Sequence, residues 1–204
     1  MLTTTAATLL AVSALIPIGS TADAEAPTPR VDVVTVNGSG CPAGTAEVSA
    51  TGRTFTVSYS SFFAQAGDGA DPVHLRRNCQ LSIRVSLPAN YTYGLARLSY
   101  NGFAHLEAGA TALHRVSTYF QGTSPTTRLD TPFTGPMSRE WTATYRPAPA
   151  DIAYSPCGAD RNLNINAELR VSPGNSDPSR RSFIAAESSS GTFTTKYELT
   201  TRPC

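Results

Sequence analysis

The segment Arg161-Asn162-Leu163-Asn164-Ile165-Asn166-Ala167-Glu168-Leu169-Arg170 alternates polar and apolar residues without a break. Side chains on an extended strand point alternately to opposite faces, so Asn162, Asn164, Asn166, Glu168 and Arg170 form one polar row. Asparagine is depleted in strands, so three on one face require compensation. One reading is a planar polar surface for a sugar or a peptide, because each amide offers both donors and acceptors. The other is internal: the asparagines bond loop backbone crossing the sheet, and Glu168 pairs with a cross-strand arginine. Both stay open at the level of sequence. These five residues are the candidate binding site.

Other chemistry-bearing groups are weaker. Gly67-Asp68-Gly69-Ala70-Asp71-Pro72-Val73-His74 puts two carboxylates and a histidine in a glycine-rich turn. It lacks D-x-D-x-D-G spacing and a closing Glu, so it reads as a solvated turn and no metal site is expected. There is no G-x-S-x-G or H-E-x-x-H. His105 and His114 sit in strand-like stretches. Glu140, Glu168 and Asp160 can be nominated as paired acids, but nothing in their spacing sets them apart. No catalytic residue, cofactor or enzymatic activity is expected. Tyr91, Tyr93, Tyr100, Tyr119 and Trp141 are available to stack on sugar rings, although aromatics of a sandwich mostly belong to its core.

Cys41, Cys79, Cys157 and Cys204 contain no C-x-x-C and read as disulfides of an exported chain rather than zinc ligands. Three pairings are possible. Cys41–Cys79 with Cys157–Cys204 is favoured, because neighbours in sequence are usually neighbours in a β-fold. Each closed loop would add roughly 4 kcal/mol in the chain-entropy model.

Strands must position these groups, and period-two alternation recurs along most of the chain. Phe55, Val57 and Tyr59 share a face, as do Cys79, Leu81, Ile83, Val85 and Leu87. Trp141, Ala143 and Tyr145 follow the rule, as do Phe193, Thr195, Tyr197 and Leu199. Thr51-Gly52 and Asn101-Gly102 read as hairpin turns. The phase slips near Gly94 to Arg97, which predicts a bulge. A helical turn is placed around Ser61 to Gln65. Residues 146–150 form a Pro-rich connector, and residues 172–191 a long Ser/Pro-rich mobile loop. The expectation is an all-β protein: an antiparallel β-sandwich or jelly roll of nine or ten strands with two disulfides.

Residues 1–24 read as a secretory signal peptide, with an apolar run from Leu9 to Gly19 and a small-x-small site at Ala22-Asp23-Ala24, though without a basic start. The remainder, residues 25–204, is long enough for a single domain. Asp23 is the one charge in the leader, leaving 16 basic residues against 14 acidic. That balance gives no footprint for nucleic acid, and no later run is apolar enough for membrane insertion. The expected product is a secreted, extracellular monomer. Its most natural role is a non-catalytic binding module for cell wall, carbohydrate or a protein surface. A hydrolase with a non-standard site, or a protease inhibitor presenting residues 173–190 with Arg180-Arg181, are the alternatives.

Several motifs resemble those of a known family. They are Val34-Thr35-Val36-Asn37-Gly38-Ser39-Gly40-Cys41-Pro42, Arg77-Asn78-Cys79-Gln80-Leu81, Tyr100 with Gly102-Phe103, and Tyr119-Phe120-Gln121-Gly122. Tyr154-Ser155-Pro156-Cys157-Gly158, the asparagine segment and the final Cys204 complete the set. In these the chain resembles the secreted proteins of filamentous actinobacteria and fungi grouped as domain of unknown function 4360. The resemblance covers nearly all of the mature chain. It implies export and cysteines at these places, and it carries over no activity, cofactor, ligand or site residue.

Overall fold

The computed structural model describes residues 26–124, 126–186 and 194–204. The leader expected over residues 1–24 lies outside them, as do residues 187–191 of the Ser/Pro-rich stretch. No helix among the described residues is long and apolar enough to cross a membrane.

Among the described residues twelve strands form two antiparallel sheets. In chain order they are β1 (Arg30–Asn37), β2 (Ala46–Thr51), β3 (Thr54–Tyr59), β4 (Phe63–Ala66), β5 (Arg76–Ser86) and β6 (Tyr91–Leu106). Then come β7 (Thr111–Phe120), β8 (Thr127–Thr134), β9 (Met137–Tyr145), β10 (Leu163–Ser172), β11 (Ser182–Ala185) and β12 (Thr194–Pro203). One sheet has the order β1-β5-β10-β7-β8. The other runs β2-β3-β12-β6-β11-β4, with β9 also paired to β6.

Alternation explains the layering. In β5, Cys79, Leu81, Ile83 and Val85 face the core while Asn78, Gln80, Ser82 and Arg84 face outward. In β10, Leu163, Ile165, Ala167, Leu169 and Val171 are buried against the other sheet. That sheet contributes Phe55, Val57, Tyr100 and Tyr197. Phe55 stacks on Tyr197 with ring centroids 4.6 Å apart, and the Tyr100 and Tyr197 hydroxyls are 2.8 Å apart. The paired hydroxyls satisfy polar atoms that burial would otherwise leave without water.

Cys41–Cys79 and Cys157–Cys204 are bridged, with Cα–Cα distances of 5.4 and 5.8 Å. The first bridge is wholly buried and ties the segment after β1 to the core face of β5.

Three local expectations are corrected. Asn101-Gly102 is not a turn: it lies inside the 16-residue β6. Gly102 is required there for packing, because a Cβ would run into the Ala185 carbonyl oxygen and the Trp141 ring. Asn101 bonds across the sheet, accepting from the Thr142 hydroxyl at 3.0 Å. The stretch of residues 172–191 is not one loop either. It contains β11, paired to β4 on one side and β6 on the other. The helical turn near Ser61 is replaced by β4. The bulge does occur: β6 slips register against β12 between Glu198 and Leu199, opposite Arg97 and Leu95.

Candidate functional site

β10 is the central strand of the five-stranded sheet, and this places the polar row in the middle of that sheet's outer face. Asn164 lies opposite Ser82 and Tyr119, Asn166 opposite Gln80 and Ser117, and Glu168 opposite Asn78 and Arg115. Arg170 faces Arg76. β1 extends the face with Thr35 and Asn37, and β8 with Arg128 and Asp130.

The central position also explains the row's burial. Asn164 is 8 % exposed, between Ser82 and Tyr119, and Glu168 is 7 % exposed, between Asn78 and Arg115 and bonded by Arg76 and Arg170. Asn162 and Asn166 are half-buried, and Arg170 is exposed. The asparagines do not bond loop backbone. Asn162 donates to the Ser82 hydroxyl at 3.2 Å. Among the described residues Asn164 and Asn166 make no side-chain hydrogen bond.

Glu168 is the charged centre. Arg76 donates to one of its carboxylate oxygens through Nε and a terminal nitrogen, and Arg170 donates to the other at 2.8 Å. Burial pushes the Glu168 carboxyl up. The bonds and charges of Arg76 and Arg170 outweigh it and hold the group below the usual carboxylate range. Arg115 forms a two-pronged pair with Asp130 at 2.7 and 2.6 Å. Arg84 and Arg128 make no ion pair among the described residues. The outer face thus carries Arg30, Arg76, Arg84, Arg115, Arg128 and Arg170 against Asp32, Asp130 and Glu168. The chain is near neutral as a whole; this face is not. It offers fixed guanidinium forks among neutral amides and hydroxyls, an arrangement suited to carboxylate or sulfate groups.

A different feature lies where the two sheets end on one side. β8 closes the five-stranded sheet, and among the described residues β9 pairs with β6 alone. Between them open two cavities of about 470 and 350 Å³ that meet at Tyr145.

Residues 27–204 match the family model described as Domain of unknown function (DUF4360). The chain belongs to the DUF4360 family. An "Uncharacterized secreted protein" of Arthroderma benhamiae is 30 % identical over 162 residues, which cover 78 % of this chain and 65 % of that protein. The chain therefore spans about two thirds of that relative's length. A structure of TmCBM61 in complex with beta-1,4-galactotriose is 13 % identical, with 86 % of this chain and 88 % of that one covered, at a TM-score of 0.27. A second, described as "CBM4 structure and function", is 17 % identical, with 79 % and 81 % covered, at a TM-score of 0.23. Likeness at these scores carries no argument about what the DUF4360 chain binds. The secreted relative and the two disulfides agree on an extracellular protein.

The remaining candidates fall apart in space. In the DUF4360 fold Asp71 caps a short 3-10 turn, and Asp68 pairs with Arg181 at 3.0 Å. His74 Nδ1 lies 3.2 Å from Gln65 Nε2. His105 is on the outer face of the larger sheet beside Glu107, and His114 is in the core. Among the described residues no histidine is bonded to a serine hydroxyl, and no group of three or more His, Cys, Asp or Glu could hold a metal ion. Glu140 lies opposite Phe103 on the larger sheet, whereas Glu168 is on the smaller one, so these acids face different surfaces. Tyr93, Tyr100 and Trp141 are buried core residues. Sequence reasoning expected a cross-strand arginine on Glu168 without identifying Arg76, and it missed the β8–β9 cavities. Arg76 comes from a strand distant in sequence, whereas a lone histidine in an apolar strand was a signal for the cavities.

Proposed function

We propose that this DUF4360 protein is a non-catalytic extracellular binding module whose contact surface is the outer face of β1, β5, β10, β7 and β8. The observation that carries the reading is the state of the asparagines. Asn164 and Asn166 keep amide groups without an internal hydrogen bond, in a row bordered by arginines held by Glu168 and Asp130. Strand asparagines are uncommon and are usually satisfied locally. Here Asn166 is partly accessible and Asn164 is largely covered beside it, on a rigid sheet where side chains are held more accurately than on a loop. The arginine excess fits an extracellular polysaccharide bearing carboxylate or sulfate groups. Asn162, Asn164 and Asn166 supply bonds to its hydroxyls, Arg170 contacts its anionic groups, and Glu168 positions the arginines.

The test is retention. Purified protein is passed over immobilised pectate, alginate, chitin and cellulose at low and moderate salt. Retention on the acidic matrices, lost in Asn164→Ala/Asn166→Ala, is expected. Retention on chitin or cellulose alone would overturn the assignment of an acidic ligand. Equal retention of the double variant would remove the asparagine row from the site.

A further inference from the structure

The cleft between β8 and β9 is physically unlike the polar face. Its larger chamber is floored by Leu95, Leu98, Phe120 and Leu163 and walled by Tyr154 and Pro147. The smaller chamber reaches Tyr100 and His114. Their volumes fall in the range of ordinary ligand sites. Among the described residues no basic side chain lines either chamber besides His114; Asp130, paired with Arg115, and Asp151 are the charged groups there.

His114 is 2 % exposed, and its Nε2 is buried without a hydrogen-bond partner among the described residues. The same is true of Nε1 of Trp141, whose ring lies 5.1 Å from the imidazole. An indole N–H can only donate, and an imidazole donates or accepts. Two adjacent buried nitrogens without partners are costly in a core that a leucine or phenylalanine would fill at no polar cost. His114, unlike Trp141, lines the smaller chamber, so an oxygen atom held there is the partner its imidazole lacks.

We propose that the β8–β9 cleft binds an uncharged lipophilic molecule, with its apolar body in the chamber floored by Leu98 and Phe120 and a hydroxyl or carbonyl oxygen at His114. The apolar floor selects the body. The unpartnered His114 imidazole selects the oxygen. Asp151 in the larger chamber, with no arginine or lysine among the described lining residues to offset it, selects against an anionic headgroup. This site uses none of Asn162, Asn164, Asn166, Glu168 or Arg170, so either can fail without the other.

Trp141 is the one tryptophan of the chain and packs on His114, so its emission reports on the site. The full chain is titrated with the uncharged, oxygen-free probe N-phenyl-1-naphthylamine. The probe is then displaced by decanol and by decanoate. Saturable binding, altered Trp141 emission and displacement by decanol at about tenfold lower concentration than decanoate are expected. His114→Phe should weaken decanol by about tenfold, the worth of one hydrogen bond, and leave the probe unaffected. Its melting temperature should equal or exceed the wild type's. Ala143→Leu, which adds bulk to the smaller chamber, is a second route and should weaken decanol while leaving the fold intact. Absent saturable binding, equal competition by decanoate, or unchanged decanol displacement in both variants would each overturn the proposal.

Discussion

His114 shows how one residue can set a pH response. It sits on the core side of β7, between the rings of Tyr100 and Trp141, at 4.5 and 5.1 Å. Burial lowers its pKa to about 4. Asp130 lines the same cavity, but its carboxylate is engaged by Arg115. The unfolded chain takes up a proton near pH 6.5 that the folded chain refuses until about pH 4. Stability is therefore full above pH 6.5 and falls as pH drops through that window, by about 3 kcal/mol. Glu168 acts in the same direction at lower pH, because its carboxyl is held down in the fold and the stability it contributes is lost on protonation. Chemical denaturation at pH 7 and pH 4.5 checks this. His114→Phe should flatten the difference between them, and a wild type equally stable at both values would contradict the account. The polar row was legible at this scale because period two alone puts Asn162 to Arg170 on one face. A cross-strand arginine for Glu168 was legible too, but not that it is Arg76, which is reached only through a register that joins positions 92 residues apart.

At the scale of elements, long strands were legible and short ones were not. β5, β9, β10 and β12 alternate over enough residues to declare themselves. β4 and β11 have four residues each, and β11 lies among Ser, Pro and Gly. Neither could be separated from loop, because what makes them strands is pairing with each other and with β6. Asn101-Gly102 misled for a related reason. The pair has the composition of a tight turn, yet β6 is held straight through it by β9. The glycine is there because Trp141 and the Ala185 carbonyl leave no space for a side chain. Gly102→Ala should accordingly destabilise the fold by about 1–3 kcal/mol, an overpacking cost that urea denaturation measures. A neutral or stabilising result would mean that the strands can part without cost.

For the whole molecule, the two bridges do different work. Cys41–Cys79 is buried and belongs to the core. Cys157–Cys204 is exposed and joins the end of β12 to the segment that precedes β10. Arg202, two residues from that end, lies 3.7 Å over the Tyr154 ring, and Tyr154 walls the cleft. The second bridge thus anchors a cleft wall as well as the chain end. Cys204→Ser should leave one free thiol and lower the melting temperature by roughly 10 °C. An unchanged melting temperature would mean the bridge constrains little of the unfolded chain.

Charge is also segregated on this scale, and it gives the central claim its most direct measurement. Calorimetric titration with oligogalacturonate compares the wild type with Arg84→Gln/Arg128→Gln, two arginines of the outer face that hold no carboxylate among the described residues. Saturable binding that weakens with added salt is expected, with a further loss of about tenfold in the variant. Binding that is absent, indifferent to salt, or equal in both proteins would contradict that claim.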